Sequence, residues 1–153
     1  MGIRHLHRPR DSRGQSLVEF SLVLIPFLLI LMGIIDLGRG IYTSNGVAEA
    51  TRELARVTAV HQCANPTACT LGTSTETAGV RGTQNGMVPG LAGAGAVVTY
   101  ACTSITDTAV ATKPCPSGSF LKVTVSVPFG VITPVLSMVA PSSVSSTTHL
   151  EIP

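Results

Sequence analysis

Four cysteines, Cys63, Cys69, Cys102 and Cys115, and four histidines, His5, His7, His61 and His149, supply the metal-ligand and nucleophile candidates of this 153-residue chain. His61, Cys63 and Cys69 would be the donors of a metal site, but their H-x-C-x5-C spacing is not that of a zinc finger or ribbon, and no metal or other cofactor is expected. Paired as disulfides, four cysteines allow three connectivities. Cys63–Cys69 and Cys102–Cys115 are favoured, because each closes a short loop containing turn formers. Serine and threonine are abundant, yet no G-x-S-x-G elbow and no H-E-x-x-H motif occurs. The acids beyond His61 are Glu76, Asp107 and Glu151, and nothing in the sequence sets two of them together as acid and base. They read as solubilising charges, and His5, His7 and His149 as solvated side chains. The chain carries no enzyme signature.

Chemistry of another kind is concentrated near the N-terminus. Glu19 is the single charge in the apolar run from Leu17 to Ile35, LVEFSLVLIPFLLILMGII. A carboxylate at mid-membrane costs about 2.5–3.5 kcal/mol on insertion scales and normally needs a partner, although the cost falls near the interface. Gly14 comes shortly before the run, and Pro26 in its middle removes one helical hydrogen bond and invites a kink. Where the run ends, Asp36 and Arg39 stand at i and i+3, an interface ion pair worth ~0.2–0.5 kcal/mol.

These residues need elements to hold them, and hydropathy supplies the first. The chain is 44% hydrophobic and 12% charged, with mean hydropathy +0.43. Much of that apolar content lies in the one run, which is apolar all round rather than striped. At about 1.5 Å per residue it matches the ~30 Å hydrocarbon thickness, so residues 15–37 are expected to form a transmembrane helix in contact with membrane lipid. Arg4, Arg8, Arg10 and Arg13 precede it against Asp11 alone, whereas charges of both signs follow. The positive-inside rule leaves the 1–14 leader in the cytoplasm and sends the remainder across the membrane, to a side where disulfides persist. The net charge of +2 arises in that basic leader and marks no nucleic-acid surface.

Residues 38–60 are expected to form an amphipathic helix. Val47, Ala50, Leu54 and Val57 share one face, while Glu49/Arg52 and Glu53/Arg56 lie within i+3 reach on the others. The two helical stretches can join as one long rod, half in lipid and half in water, or bend at Gly38, Gly40 and Gly46, each of which costs about 1 kcal/mol in a helix interior. Residues 61–153 turn Thr-, Ser- and Gly-rich and short-patterned, which predicts a small β-rich extracytoplasmic domain. Strands are expected over 96–102, 120–127 and 147–152. In the second, Leu121, Val123, Val125 and Val127 face one way; in the third, Leu150 and Ile152 face inward. Pro128, Pro134 and Pro141 punctuate the links, and Asn85-Gly86 and Pro89-Gly90 mark turns in a middle stretch without an assigned element. The fold class is α+β: a long N-terminal helix feeding a small β-rich domain.

RGQSLVEF at 13–20 resembles a prepilin peptidase site. In that family the enzyme cuts after the glycine, the fifth mature residue is Glu and the sixth is aromatic. The cut would fall between Gly14 and Gln15, making Glu19 fifth and Phe20 sixth. Such a leader is removed on the cytoplasmic side while the apolar stretch stays in the mature protein, unlike a secretory signal, whose cleavage site follows its apolar run. The wider stretch 13–60 resembles the TadE-like proteins of the Tad (Flp) pilus machinery through Val18-Glu19-Phe20, Pro26 and Gly33-Ile34-Ile35-Asp36-Leu37-Gly38-Arg39, and VTVSVPFGVITPVL at 123–136 is weakly similar. The resemblance implies a non-catalytic pseudopilin, with prepilin peptidase, other pilin-like subunits and the Tad secretion machinery as partners. Glu19 and Pro26, with Asp36 and Arg39, would be its helix-packing residues. The competing reading is a membrane-tethered binding or adhesion module unrelated to pili, which would need neither Gly14 nor Glu19.

Overall fold

A computed structural model describes residues 12–133, 136–138 and 140–153. Most of the basic leader, with His5 and His7, lies outside the described residues, as does Pro134. The expected transmembrane and amphipathic stretches form one uninterrupted helix, α1 (Ser12–Val60), of 49 residues, about 74 Å long at 1.5 Å per residue. It runs through Pro26 and through the three glycines expected to weaken the join. An added Cβ would meet nothing within 4 Å at Gly38, and would only touch Phe129 at Gly40 and Val88 at Gly46, each at 3.5 Å. Tertiary packing of the C-terminal half outweighs their low helix propensity.

That packing follows the amphipathic stripe. Val47, Ala50 and Leu54 are fully buried, joined by Thr51, Ala55 and Thr58, whereas Val57 sits half-buried at the stripe's margin. The buried threonines satisfy their hydroxyls locally. Thr51 donates to the Val47 carbonyl at 2.6 Å, and Thr58 shares a hydrogen bond with Thr77 at 3.3 Å.

Against this face lies a three-stranded antiparallel sheet in the order β1 (Val97–Thr103), β2 (Phe120–Pro128), β3 (Ser143–Glu151). Strict alternation in β2 sends Leu121, Val123, Val125 and Val127 inward, all fully buried. The register sets Val98 against Val125 and Tyr100 against Val123 on one side, and Leu150 against Leu121 and Val144 against Val127 on the other. The closing strand begins four residues earlier than its hydrophobic pattern predicts. SVSS is too polar to signal a strand alone, yet it pairs along the second half of β2. Leu150 is half-buried and Ile152, just beyond the strand, is buried.

The unassigned middle contains α2 (Thr75–Met87). Asn85-Gly86 therefore lies inside a helix rather than in a turn. The helix is secured at its ends, where the Ser74 hydroxyl accepts from the Thr77 amide at 3.1 Å and the Val88 amide closes on the Gln84 carbonyl at 2.9 Å. Pro89-Gly90 does form a turn, with Gly90 at φ 84°. Gly72, at φ 75°, lies against the Tyr100 ring, whose Cδ2 would stand 2.6 Å from an added Cβ. Only glycine fits there.

β3 runs beside the second half of α1 in the same direction. Val144 shares a groove with Gly40 and Ile41, and Leu150–Ile152 share another with Ala59 and Val60. The head thus has two poles. The near pole, beside Asp36–Ile41, carries the β2–β3 connection; the far pole carries the end of α1 and the β1–β2 connection.

Candidate functional site: two acids at the ends of the apolar helix

Among the described residues, the N-terminal half of α1 is left almost wholly exposed. Between Gly14 and Ile35 every residue is exposed except Leu24 and Gly33, which are half-buried. This is the one helix among the described residues long and apolar enough to cross a membrane. Gly14, Gln15, Glu19, Phe20 and Pro26 all lie on it. The Gly14–Gln15 bond sits in the helix's first turn, with Gly14 in open space. Glu19 is exposed and has no ion-pair partner among the described residues.

Asp36, at the other end of the run, is in the opposite situation. It is only 2% exposed. Its Oδ1 accepts the Ile132 amide at 2.9 Å, and its Oδ2 accepts the Ile132 and Thr133 amides at 3.0 and 2.8 Å. Arg39 Nη1 stands 3.4 Å from Oδ1, donates to the Gly130 carbonyl at 3.4 Å, and its guanidinium lies 5.9 Å over the Phe129 ring. The i,i+3 ion pair is therefore present, but as a description of Asp36 it falls short. The carboxylate is a staple that holds the β2–β3 connection onto α1, using charge-assisted bonds to backbone amides. Those partners lie 96 and 97 residues away, so helical spacing could not show them. The available signal was the acid itself, placed at the end of an apolar run where a carboxylate must find donors.

At the far pole, Cys63 bonds to Cys69 and Cys102 to Cys115. The Gln62 side chain ties the two loops together. Its Nε2 donates to the Cys115 carbonyl at 3.2 Å and its Oε1 accepts the Cys115 amide, a role no sequence feature announced. With its cysteines in disulfides, the H-x-C-x5-C stretch offers no thiolate, and no three His, Cys, Asp or Glu side chains converge among the described residues. Asp107 receives Lys122 Nζ at 2.7 Å and has His149 Nδ1 at 3.9 Å. The Lys122 hydrogen bond holds the Asp107 carboxyl below its ordinary range. This exposed trio orders the β1–β2 connection and encloses no reaction site.

Residues 14–56 match the family model described as TadE-like protein. The matched stretch spans the apolar run, the Asp36–Arg39 staple and the buried stripe as far as Ala55. No curated protein and no solved structure matches the chain.

Proposed function

We propose, on the premise of a TadE-like N-terminal segment, that the chain is a non-catalytic pseudopilin of Tad pilus assembly. It is anchored in the bacterial inner membrane by residues 15–37, with its N-terminus cytoplasmic and its head outside. Prepilin peptidase cuts between Gly14 and Gln15, where the first helical turn is open to unwinding because glycine disfavours the helix. The observation that carries this reading is the contrast between the two acids. Asp36 is met by amides of its own head, whereas Glu19, some 26 Å away along the helix axis (17 residues at about 1.5 Å), meets no ion-pair partner among the described residues. A carboxylate at the edge of lipid that lacks an internal partner calls for an external one. In the cleaved protein the new α-amino group of Gln15, its own or a neighbouring subunit's, supplies the counter-charge and sets the register between packed helices. A plain tether for a binding module would have no use for that acid.

Co-expression with a prepilin peptidase, followed by N-terminal sequencing, tests the processing step. The mature chain is expected to begin at Gln15, and a chain that keeps its leader would overturn it. Glu19→Gln tests the register role: pilus assembly in cells should fail while the cleaved protein still accumulates.

A further inference from the structure

The near pole of the head is built for a second contact with lipid. Twenty-two residues separate Gly14 from Asp36, a rise of about 33 Å against a hydrocarbon layer of ~30 Å. With Gly14 at one face of the bilayer, Asp36 lies at the other. The Ile132 and Thr133 amides are bonded to Asp36, and the Ser137 amide donates to the Thr133 carbonyl at 3.2 Å, so these parts of the β2–β3 connection are held at that same level. Its side chains suit the position. Ile132 is 60% and Met138 90% exposed, and Ile41 and Tyr42 on the adjoining turn of α1 are 55% and 62% exposed. No charged residue occurs between Lys122 and Glu151. Between α1 and the connection runs an apolar groove of about 530 Å³, lined by Leu37, Gly40, Ile41, Phe129, Val131 and Val144 among others. Arg39, half-exposed at its rim, has the long stem and charged head that suit the headgroup layer, and tyrosine is enriched there.

The far pole differs by its charge. Val60 and Ile105 are exposed there too, but Arg56, His61, Asp107, Lys122, His149 and Glu151 belong to the same elements and connections and suit a surface facing water.

We propose that the near pole is seated in the outer lipid interface, with Ile132 and Met138 inserted among the acyl chains and the groove occupied by one of them. The occupant is lipid because Leu37 and Ile41, which continue the apolar run of α1, line the groove, and the rest of its lining is apolar apart from Asp36, Ser44 and Asn45. The inference rests on the reading that α1 spans the bilayer, and the two can be tested separately.

The chain contains no tryptophan, so a single introduced one reports its own surroundings. Full-length Met138→Trp, Ile132→Trp, Phe27→Trp and Ile105→Trp variants would be reconstituted in phosphatidylcholine vesicles, with and without bromine on the acyl chains. Ile105 is 86% exposed and follows β1 at the far end of the sheet, about 25 Å from the near pole at ~3.3 Å per strand residue. Emission from Met138→Trp and Ile132→Trp is expected to be blue-shifted and quenched by chains brominated near the headgroup. Phe27→Trp should be quenched by bromine deep in the bilayer, and Ile105→Trp by neither. Quenching of Phe27→Trp alone overturns the seat and leaves the span intact; quenching of none of them overturns both. A blue shift at Met138→Trp that ignores bromine and disappears on dilution identifies a second copy of the chain as the occupant and also overturns the proposal.

Discussion

The two halves of α1 are one helix with two kinds of surface. Its first half displays Leu17, Phe20, Leu22, Ile25 and Phe27 on all sides and buries none of them, while its second half buries a stripe running from Val47 to Thr58 and leaves Glu49, Arg52 and Arg56 in water. Identical backbone geometry thus carries two kinds of stability. The first half has the length and hydropathy for transfer to lipid, and the second draws on close packing against a sheet. Asp36 marks the boundary.

The sharpest way to break that comparison is the same substitution in each half. Leu54→Ala is expected to destabilise the head by ~2–5 kcal/mol, the usual cost of truncating a fully buried leucine. Leu22→Ala, at a 71% exposed position, should leave head stability unchanged and alter insertion by less than about 1 kcal/mol. Denaturant unfolding in micelles compares the two. Equal losses would mean that the first half also packs inside the protein.

At the boundary, Asp36→Ala removes the acceptor of the buried Thr133 amide, a loss of about 1–3 kcal/mol for that group alone. Hydrogen exchange should show protection disappearing at Ile132 and Thr133 while the β2 amides stay protected. Gly38→Ala, with open space around the site, should stabilise the helix by about 1 kcal/mol, measured as a higher unfolding midpoint. The smallest effect is electrostatic and confined to the head. Because its folded pKa lies below the ordinary 3.8, Asp107 contributes stability that is present above that value and lost as pH falls through the folded one. Asp107→Asn should therefore flatten the acid limb of the head's thermal midpoint against pH and leave insertion of the first half untouched.

The β2 core face and the α1 stripe were legible because each depends on local periodicity: two residues per repeat for Leu121–Val127, and three to four for Val47–Leu54. The loops closed by the disulfides were legible because their lengths are local as well. Other features were hidden for a common reason. α2 contains Gly79, Gly82 and Gly86, and its Asn85-Gly86 pair reads as a turn, so its helicity depends on the Ser74 cap and on contacts such as Thr77 with Thr58. The first residues of β3 are serines and one valine, which join a strand through pairing with β2. Gln62 shows its purpose only when Cys115, 53 positions later, lies beside it.

By itself, the sequence determined the apolar helix, the single acid at each end of it and the division between a half apolar all round and a half packed along one stripe, since hydropathy and helical period act over neighbouring residues. Which of the two acids would be satisfied was decided by tertiary structure alone. Only folding carries the Ile132 and Thr133 amides across almost a hundred residues to Asp36. The same contact fixes the near pole of the head beside the end of the apolar run.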